Sequence, residues 1–208
     1  MNRTGSLKTR TIVLLAIVGL VMVSLVGTCS TAVGTYNSIQ TKGTQVDAAG
    51  AQIKVQLKRR LDLLPNLAAV VQGYATHERT TFTEIAQARA KLGGVINVQG
   101  QSDMGQLAQA SSTLSGTIGR LLVLSEQYPE LKANETFRDL QSQIEGTENR
   151  ISVARQDYNG EVQKFNAMIK VFPNNVIANF MGVGPRQFFD VSDSSTVENA
   201  PVIQLTPK

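Results

Sequence analysis

The sequence predicts an all-α protein in which an N-terminal transmembrane helix is followed by an antiparallel four-helix bundle. Three observations support this fold class. Residues 11–33 include no charged residue. Beyond them, apolar residues recur every three or four positions over long stretches, which is the spacing of one helix face. No segment shows the strand-turn-strand punctuation that an all-β domain needs.

The uncharged segment TIVLLAIVGLVMVSLVGTCSTAV is long enough to cross a membrane as one helix. At about 1.5 Å per residue it extends roughly 35 Å, and a bilayer's hydrocarbon core is about 30 Å thick. Arg3, Lys8 and Arg10 precede the segment, and the next charged residue is Lys42. Because cations favour the cytoplasmic side, we predict a single-pass cell-membrane protein with residues 1–10 in the cytoplasm and the bundle outside it.

Two alternatives compete with this uncleaved anchor. A cleaved signal peptide also has a basic start and an apolar core, but this core is longer than usual and no small-x-small cleavage site follows it. A lipid anchor would use Cys29, although Thr28 is a poor residue for the position before a lipidated cysteine. With Cys29 as the only cysteine and His77 as the only histidine, one chain can form neither a disulfide nor the usual Cys/His zinc site.

The first bundle helix follows the membrane span, and its apolar face ends near a proline. This face consists of Ile39, Val46, Ile53, Leu57, Leu61 and Leu64. Proline lacks a backbone donor and disfavours helix in the residue before it. Pro65 therefore predicts a tight turn or a sharp kink within residues 62–66, with a second helix over residues 65–92.

The remaining helices lie between a glycine-rich stretch and Pro173. Residues 93–105 are predicted to be a loop, with Ser102 or Asp103 capping the next helix. The third helix keeps a three-four spacing from Met104 to Tyr128, and Pro129 ends it.

The fourth helix keeps the same spacing from Phe137 to Phe172, with only Glu161 interrupting the apolar seam. Each of these helices alone is marginal in water, so their apolar faces favour up-and-down packing with short loops. The bundle is predicted to occupy residues 34–173, and residues 174–208 an irregular C-terminal tail.

Two charge-rich stretches are the candidate functional residues, and we treat them as structural charge patches. The first, QLKRRLDLLPNL, contains Arg59, Arg60 and Asp62; the second, TENRISVARQDYN, contains Glu148, Arg150, Arg155 and Asp157. One interpretation is a recognition surface for a partner or a lipid headgroup. We favour interhelical ion pairs that hold the helix register. Lys58 and Arg59 stand four and three residues before Asp62, so either can also pair with it along the helix.

The sequence offers little that indicates catalysis or nucleic-acid binding. It contains no G-x-S-x-G elbow and no phosphate-binding loop, and nothing in the spacing links a carboxylate to His77. Three of the cations behind the net charge of +4 precede the membrane span, so the rest is nearly neutral, whereas phosphate binding needs a clustered basic face. We predict no catalytic residue, no cofactor and no metal site.

Two long strings resemble the LemA family of membrane-anchored bacterial and archaeal proteins. They are VQLKRRLDLLPNLAAVVQGYATHE and LKANETFRDLQSQIEGTENRISVARQDYNGEVQKFNAMIKVFPNNVIA, and the resemblance covers about residues 36–190. It implies one N-terminal membrane helix, an antiparallel four-helix bundle outside the membrane and no known enzymatic activity. Because both charge-rich stretches match the family's patterns, we expect them to face each other, with Arg59 or Arg60 meeting Glu148 or Asp157.

These observations favour a membrane-tethered, non-enzymatic helical scaffold or interaction module at the cell envelope. The alternatives are an envelope-associated hydrolase that uses His77 and a module that contacts lipid or cell wall. The expected partners are the membrane, through residues 11–33, and either another protein or further copies of the chain, since the small residues of the span favour helix association. Nucleic acid is not expected as a partner.

Overall fold

The computed structural model describes residues 4–97 and 103–190, with side chains from residue 14 onward except that of Thr28. Within these ranges the chain forms six α-helices and no β-strand. They are α1 (Thr4–Tyr74), α2 (Arg79–Ile96), α3 (Met104–Gln127), α4 (Pro129–Ala133), α5 (Glu135–Lys170) and α6 (Asn174–Phe180). The predicted all-α class is confirmed for this part of the chain.

Helix α1 is 71 residues long and begins with an exposed apolar segment. By length and composition it could cross a membrane, and none of its most apolar 18-residue window is buried. The large apolar side chains between Leu14 and Val26 are all exposed. Water-soluble surfaces rarely carry a continuous apolar area of this size, so this part of α1 is the candidate membrane span.

Pro65 lies inside α1, and the chain does not turn there. The helix continues to Tyr74, and the turn to α2 occupies residues 75–78. The predicted turn at residues 62–66 and the predicted second helix from residue 65 are therefore wrong. A proline inside a helix costs about 3 kcal/mol, but fully burying one leucine contributes about 1.5–3 kcal/mol. Leu64 and Leu67 on either side of Pro65 are each 1% exposed, so packing outweighs the local preference.

The predicted loop at residues 93–105 begins later than expected, because Gly93 and Gly94 belong to α2. Of the two predicted caps, Ser102 lies outside the described residues, and Asp103 caps α3. The Asp103 carboxylate accepts hydrogen bonds from the backbone N–H groups of Gly105 and Gln106, at 2.9 and 3.2 Å. This satisfies two of the donors that a helix N-terminus leaves free.

Helices α3 and α5 bury the faces that their spacing predicts, except at the end of α5. Val162 and Ile169 are buried there, whereas Phe172 lies beyond the helix and is 77% exposed. The prediction that the apolar seam continues to Phe172 is therefore wrong. These two buried residues each follow the predicted seam position by one residue. Such a shift occurs because a helix with 3.6 residues per turn drifts against a repeat of 3.5 residues.

The chain divides into two compact units. The first consists of Met1–Gln45 and Lys164–Pro185, and the second of Val46–Gln163 and Arg186–Lys208. Helices α1 and α5 each contribute to both units. In the second unit, Asn134 accepts a hydrogen bond from the N–H of Phe137 at the start of α5 and donates one to the Tyr74 hydroxyl at the end of α1. The side-chain sites described next all belong to the second unit.

Candidate functional site

Arg60 is the one charged residue that is buried among those the structure describes, with 3% of it exposed. It lies on the core face of α1, one turn after Leu57 and one turn before Leu64. Its Nη1 is 2.5 Å from Oε2 of Glu148 on α5 and donates to Oγ of Ser115 on α3 at 2.9 Å. Arg60 therefore links three helices through one guanidinium.

Burial disfavours the charged form of Arg60, and the neighbouring Glu148 favours it. Burial lowers the pKa of Arg60, while the attraction of the Glu148 carboxylate and its hydrogen bond raise it. An arginine stays protonated in proteins, so the site holds a buried cation. Its Nε has no hydrogen-bond partner among the described residues. The Glu148 side chain is 52% exposed, so only one end of this ion pair is withdrawn from water.

The other charged residues of the two patches lie on the surface. Arg59, Asp62, Arg150, Arg155 and Asp157 are exposed, and the described residues give none of them an ion pair. The expected pairing of Lys58 or Arg59 with Asp62 is absent from this part of the chain. The structure thus brings together Arg60 and Glu148 and leaves the remaining five predicted residues free to meet solvent or a partner.

Three of these exposed residues line clefts between helices. Asp62 lines a cleft of about 350 Å³ between α1 and α2. Arg150 and Asp157 line a groove of about 510 Å³ between α1 and α5, with Gln52, Gln56, Asn149 and Val153 among its other residues. The Gln56 Oε1 is buried and has no hydrogen-bond partner among the described residues. We call this second cleft the α1–α5 groove.

Next to the α1–α5 groove, Tyr158 and Asn159 hold a non-helical segment of the C-terminal region. The Asn159 Oδ1 accepts from the backbone N–H of Phe189 at 2.8 Å, and its Nδ2 donates to the carbonyl of Phe189 at 3.2 Å. The Tyr158 hydroxyl donates to the carbonyl of Gln187 at 2.8 Å. Phe189 is 2% exposed. The side chain of Asn159 thus binds backbone as a neighbouring strand would.

An ion pair attaches the same segment to α1. Arg186 Nη2 lies 3.4 Å from Oδ1 of Asp47. Burial raises the pKa of Tyr158, the nearby Arg186 lowers it, and Asp47 raises it. We call residues 186–190, held by Tyr158, Asn159 and Asp47, the strap. Within the predicted irregular tail, residues 174–208, Asn174–Phe180 form α6, and residues 191–208 lie outside the described residues.

The sequence patterns did not indicate Asn159, Ser115 or the strap. Asn159 follows Tyr158 in ARQDYN, where apolar spacing explains the tyrosine but not the asparagine. An asparagine directly after a core position was the available signal. Ser115 carried no signal, because serine at an edge of the apolar face is common on any helix.

His77 lies in the turn between α1 and α2 and is exposed. It makes no hydrogen bond or ion pair with another described residue. Among the residues that the structure describes, no group of three or more His, Cys, Asp or Glu side chains is placed to hold a metal ion. The geometry around His77 therefore gives the hydrolase alternative no support.

Known proteins are similar to most of this chain. The model of the LemA family matches residues 49–205. Magnetosome protein MamQ 2 of Paramagnetospirillum magneticum is 24% identical over 188 residues, which cover 81% of this chain and 69% of the relative. Magnetosome protein MamQ of Magnetospirillum gryphiswaldense is 23% identical with the same coverage.

A third relative carries the family's own name. Protein LemA of Metamycoplasma hominis is 26% identical over 166 residues, which cover 80% of this chain and 74% of the relative. The family match begins one residue before Gly50 and includes Arg60, Ser115, Glu148, Tyr158, Asn159 and the strap. Since that match covers well over half of the sequence, the chain belongs to the LemA family.

Proposed function

We propose that this protein is a membrane-tethered, non-enzymatic helical scaffold or interaction module at the cell envelope. One observation carries the proposal. Helix α1 contains both the exposed apolar segment and a buried core face that reaches Val71. A partner bound to the second unit would therefore be attached to the membrane, because α1 contributes to both units. The names of the three relatives state no catalysed reaction.

The proposed arrangement is an up-and-down four-helix bundle made of residues 34–74 of α1 together with α2, α3 and α5. A ring carbon of Tyr158 lies 3.4 Å from the point that a Cβ on Gly50 would occupy, and Arg60 pairs with Glu148. Residue numbers rise along α1 as they fall along α5, which supports an antiparallel pair.

The contacts of α3 and α2 support the same arrangement. Gly50 also lies near Met104 and Arg60 bonds to Ser115, so α3 follows the direction of α1. Arg120 on α3 pairs with Glu84 on α2 at 3.1 Å. Short connections between consecutive helices complete an alternation of directions, as expected for this class of bundle.

In the proposed topology residues 1–10 are cytoplasmic, residues 11–33 span the membrane and the bundle is extracytoplasmic. The support is the charge distribution, since Arg3, Lys8 and Arg10 precede the span and such cations stay on the cytoplasmic side.

We propose the α1–α5 groove as the surface that receives a protein partner. Its amides, the cation of Arg150, the anion of Asp157 and the exposed Val153 form the mixed polar and apolar surface that is typical of protein interfaces. A partner's polar groups could satisfy the buried Oε1 of Gln56, which would add specificity because an unsatisfied buried group is costly.

A photo-crosslinking amino acid placed in the groove tests this function in the full-length protein in its native membrane. We expect position 153 to give one defined adduct, and the equally exposed position 123 of α3 to give none. Arg150→Glu should abolish the adduct, and Arg155→Glu, on the same helix outside the groove, should not. An adduct of twice the chain's mass would identify a second copy as the partner. Adducts that do not respond to Arg150→Glu would refute the assignment of the groove.

A further inference from the structure

The chain exposes four large apolar side chains where α5 ends and α6 follows. Val171, Phe172, Val176 and Phe180 are 60, 77, 57 and 93% exposed. Val176 and Phe180 stand four residues apart and so lie on one side of α6; Ala178 of the same helix is buried. We call these four residues the apolar tip. Phenylalanines this exposed indicate a surface that is covered in the cell.

The charged residues next to the apolar tip in the sequence are of one sign. Between residues 164 and 185 the sequence contains Lys164 and Lys170 but no aspartate or glutamate. The preceding part of α5 contains six carboxylates, the last of which is Glu161. An apolar surface flanked by lysines and free of acids complements a membrane surface that carries anionic lipids.

The apolar tip belongs to the same compact unit as the membrane segment of α1. Gly50 of α1 contacts Tyr158 of α5, and Arg60 of α1 contacts Glu148 of α5. A step of ten residues forward on α1 thus corresponds to a step of ten residues backward on α5. Both helices continue without a break beyond Gly50 and Tyr158. Within the first unit the same spacing would set Ile39 level with Ile169, which are both buried, and Ser38 level with Lys170.

This register gives the height of the tip above the membrane. Ser38 follows the end of the predicted span at Val33 by five residues, which is about 7.5 Å along the helix. The headgroup region adds about 5–7 Å on each side of the hydrocarbon core. Lys170 is therefore level with the outer edge of the headgroup region. The apolar tip, which follows Lys170 directly, is within reach of the headgroups, at whose level the half-exposed Tyr36 lies.

We propose that the apolar tip inserts into the interfacial region of the membrane that α1 crosses, with Lys170 facing anionic headgroups. This proposal rests on the proposed anchoring by residues 11–33. The tip is a second attachment point of the first unit to the membrane. Surface helices of this kind bury their apolar side by roughly 5–10 Å at the boundary between headgroups and acyl chains.

The natural absence of tryptophan makes a direct test possible in the full-length protein. Phe180→Trp places a single emitter at the tip, Val23→Trp places one in the span, and Val123→Trp places one on the exposed surface of α3. Each variant is reconstituted in vesicles of phosphatidylcholine and phosphatidylglycerol, with and without brominated lipid. We expect Phe180→Trp to emit at shorter wavelength than Val123→Trp and to lose most of its intensity to bromine, as Val23→Trp does.

The outcomes distinguish a failure of the tip proposal from a failure of the proposed anchor. Quenching of Val23→Trp with no quenching of Phe180→Trp would refute the insertion of the tip and leave the anchor intact. No quenching of Val23→Trp would refute the anchor, and the tip proposal with it. A blue-shifted but unquenched Phe180→Trp would show that protein and not lipid covers the tip, which also refutes the proposal. A Val176→Trp reporter should lose its quenching when Phe172 and Phe180 are both changed to serine, substitutions that leave the buried core unchanged.

Discussion

The ion pair of Arg60 and Glu148 predicts an unusual order of stability losses. Glu148→Ala removes the half-exposed partner and leaves the cation of Arg60 buried with Ser115 as its remaining hydrogen-bond partner. Breaking a buried pair by removing one partner costs about 3–5 kcal/mol. Because Glu148 is itself half exposed, we expect the lower end of that range, about 3 kcal/mol.

Substitutions of Arg60 itself should cost less. Arg60→Ala loses a charged hydrogen bond worth about 1.5–3 kcal/mol, together with the packing of the aliphatic stem, but it leaves Glu148 free to be solvated. We expect a loss of about 2 kcal/mol. Arg60→Met keeps most of the volume and leaves no buried charge, and such replacements are often neutral, so its loss should stay below about 1 kcal/mol.

Thermal unfolding followed by circular dichroism, on the full-length protein in detergent, measures this order. For a chain of about this size 1 kcal/mol corresponds to roughly 2–4 °C, so Glu148→Ala should lower the melting temperature by about 6–12 °C. Arg59→Ala is the matched control, since Arg59 is exposed and unpaired among the described residues, and its effect should stay within about 0.5 kcal/mol. Equal melting temperatures for Arg59→Ala and Arg60→Ala, or an Arg60→Met variant as unstable as Glu148→Ala, would refute the reasoning.

Three further predictions follow from the strap and from the proline in α1. Asn159→Ala removes both hydrogen bonds to Phe189, so trypsin should cleave after Arg186 faster than in the wild type while other sites keep their rates; unchanged cleavage would contradict a role in holding the strap. The raised pKa of Tyr158 means that the folded state favours the protonated phenol. The contribution of Tyr158 to stability should therefore be constant below a pH of about 10 and fall above it, and Tyr158→Phe should remove part of this alkaline loss in thermal unfolding measured at increasing pH. Pro65→Ala should raise the melting temperature by an amount equivalent to up to about 3 kcal/mol. Pro129→Ala should change the melting temperature little, because Pro129 lies in the first turn of α4, where proline is tolerated. A lower melting temperature for Pro65→Ala would show that α1 depends on the proline.

The two neighbouring arginines show why sequence patterns predict a helix but not the contacts of its side chains. The spacing of apolar residues in α1 predicts which face is buried, and Arg60 lies on that face between Leu57 and Leu64. Arg59 and Arg60 are nonetheless equivalent as cations, and the sequence left both open as partners of Glu148 or Asp157. One residue is a rotation of about 100° around the helix, and only the position of α5 shows that Arg60 is the one that meets Glu148.

The strap illustrates the same limit over a longer distance in the chain. Residues 186–190 have no helical period, and nothing in them indicates what they contact. Their partners, Asp47, Tyr158 and Asn159, are about 30 or more residues away in sequence. A contact of this kind depends on where two helices place their side chains together, which no local pattern encodes.

The sequence by itself determined the helical class, the uncharged segment that could cross a membrane, the core faces of α3 and α5 and the membership in the LemA family. These follow from periodicity, composition and long matching strings, all of which are local or linear properties. Tertiary structure decided that α1 continues through Pro65, that Arg60 is buried against Glu148, that Asn159 holds the strap and that Phe172 and Phe180 stay exposed. The physical reason is that burial of leucines over several turns outweighs one proline, and that burial itself is a property of neighbouring helices.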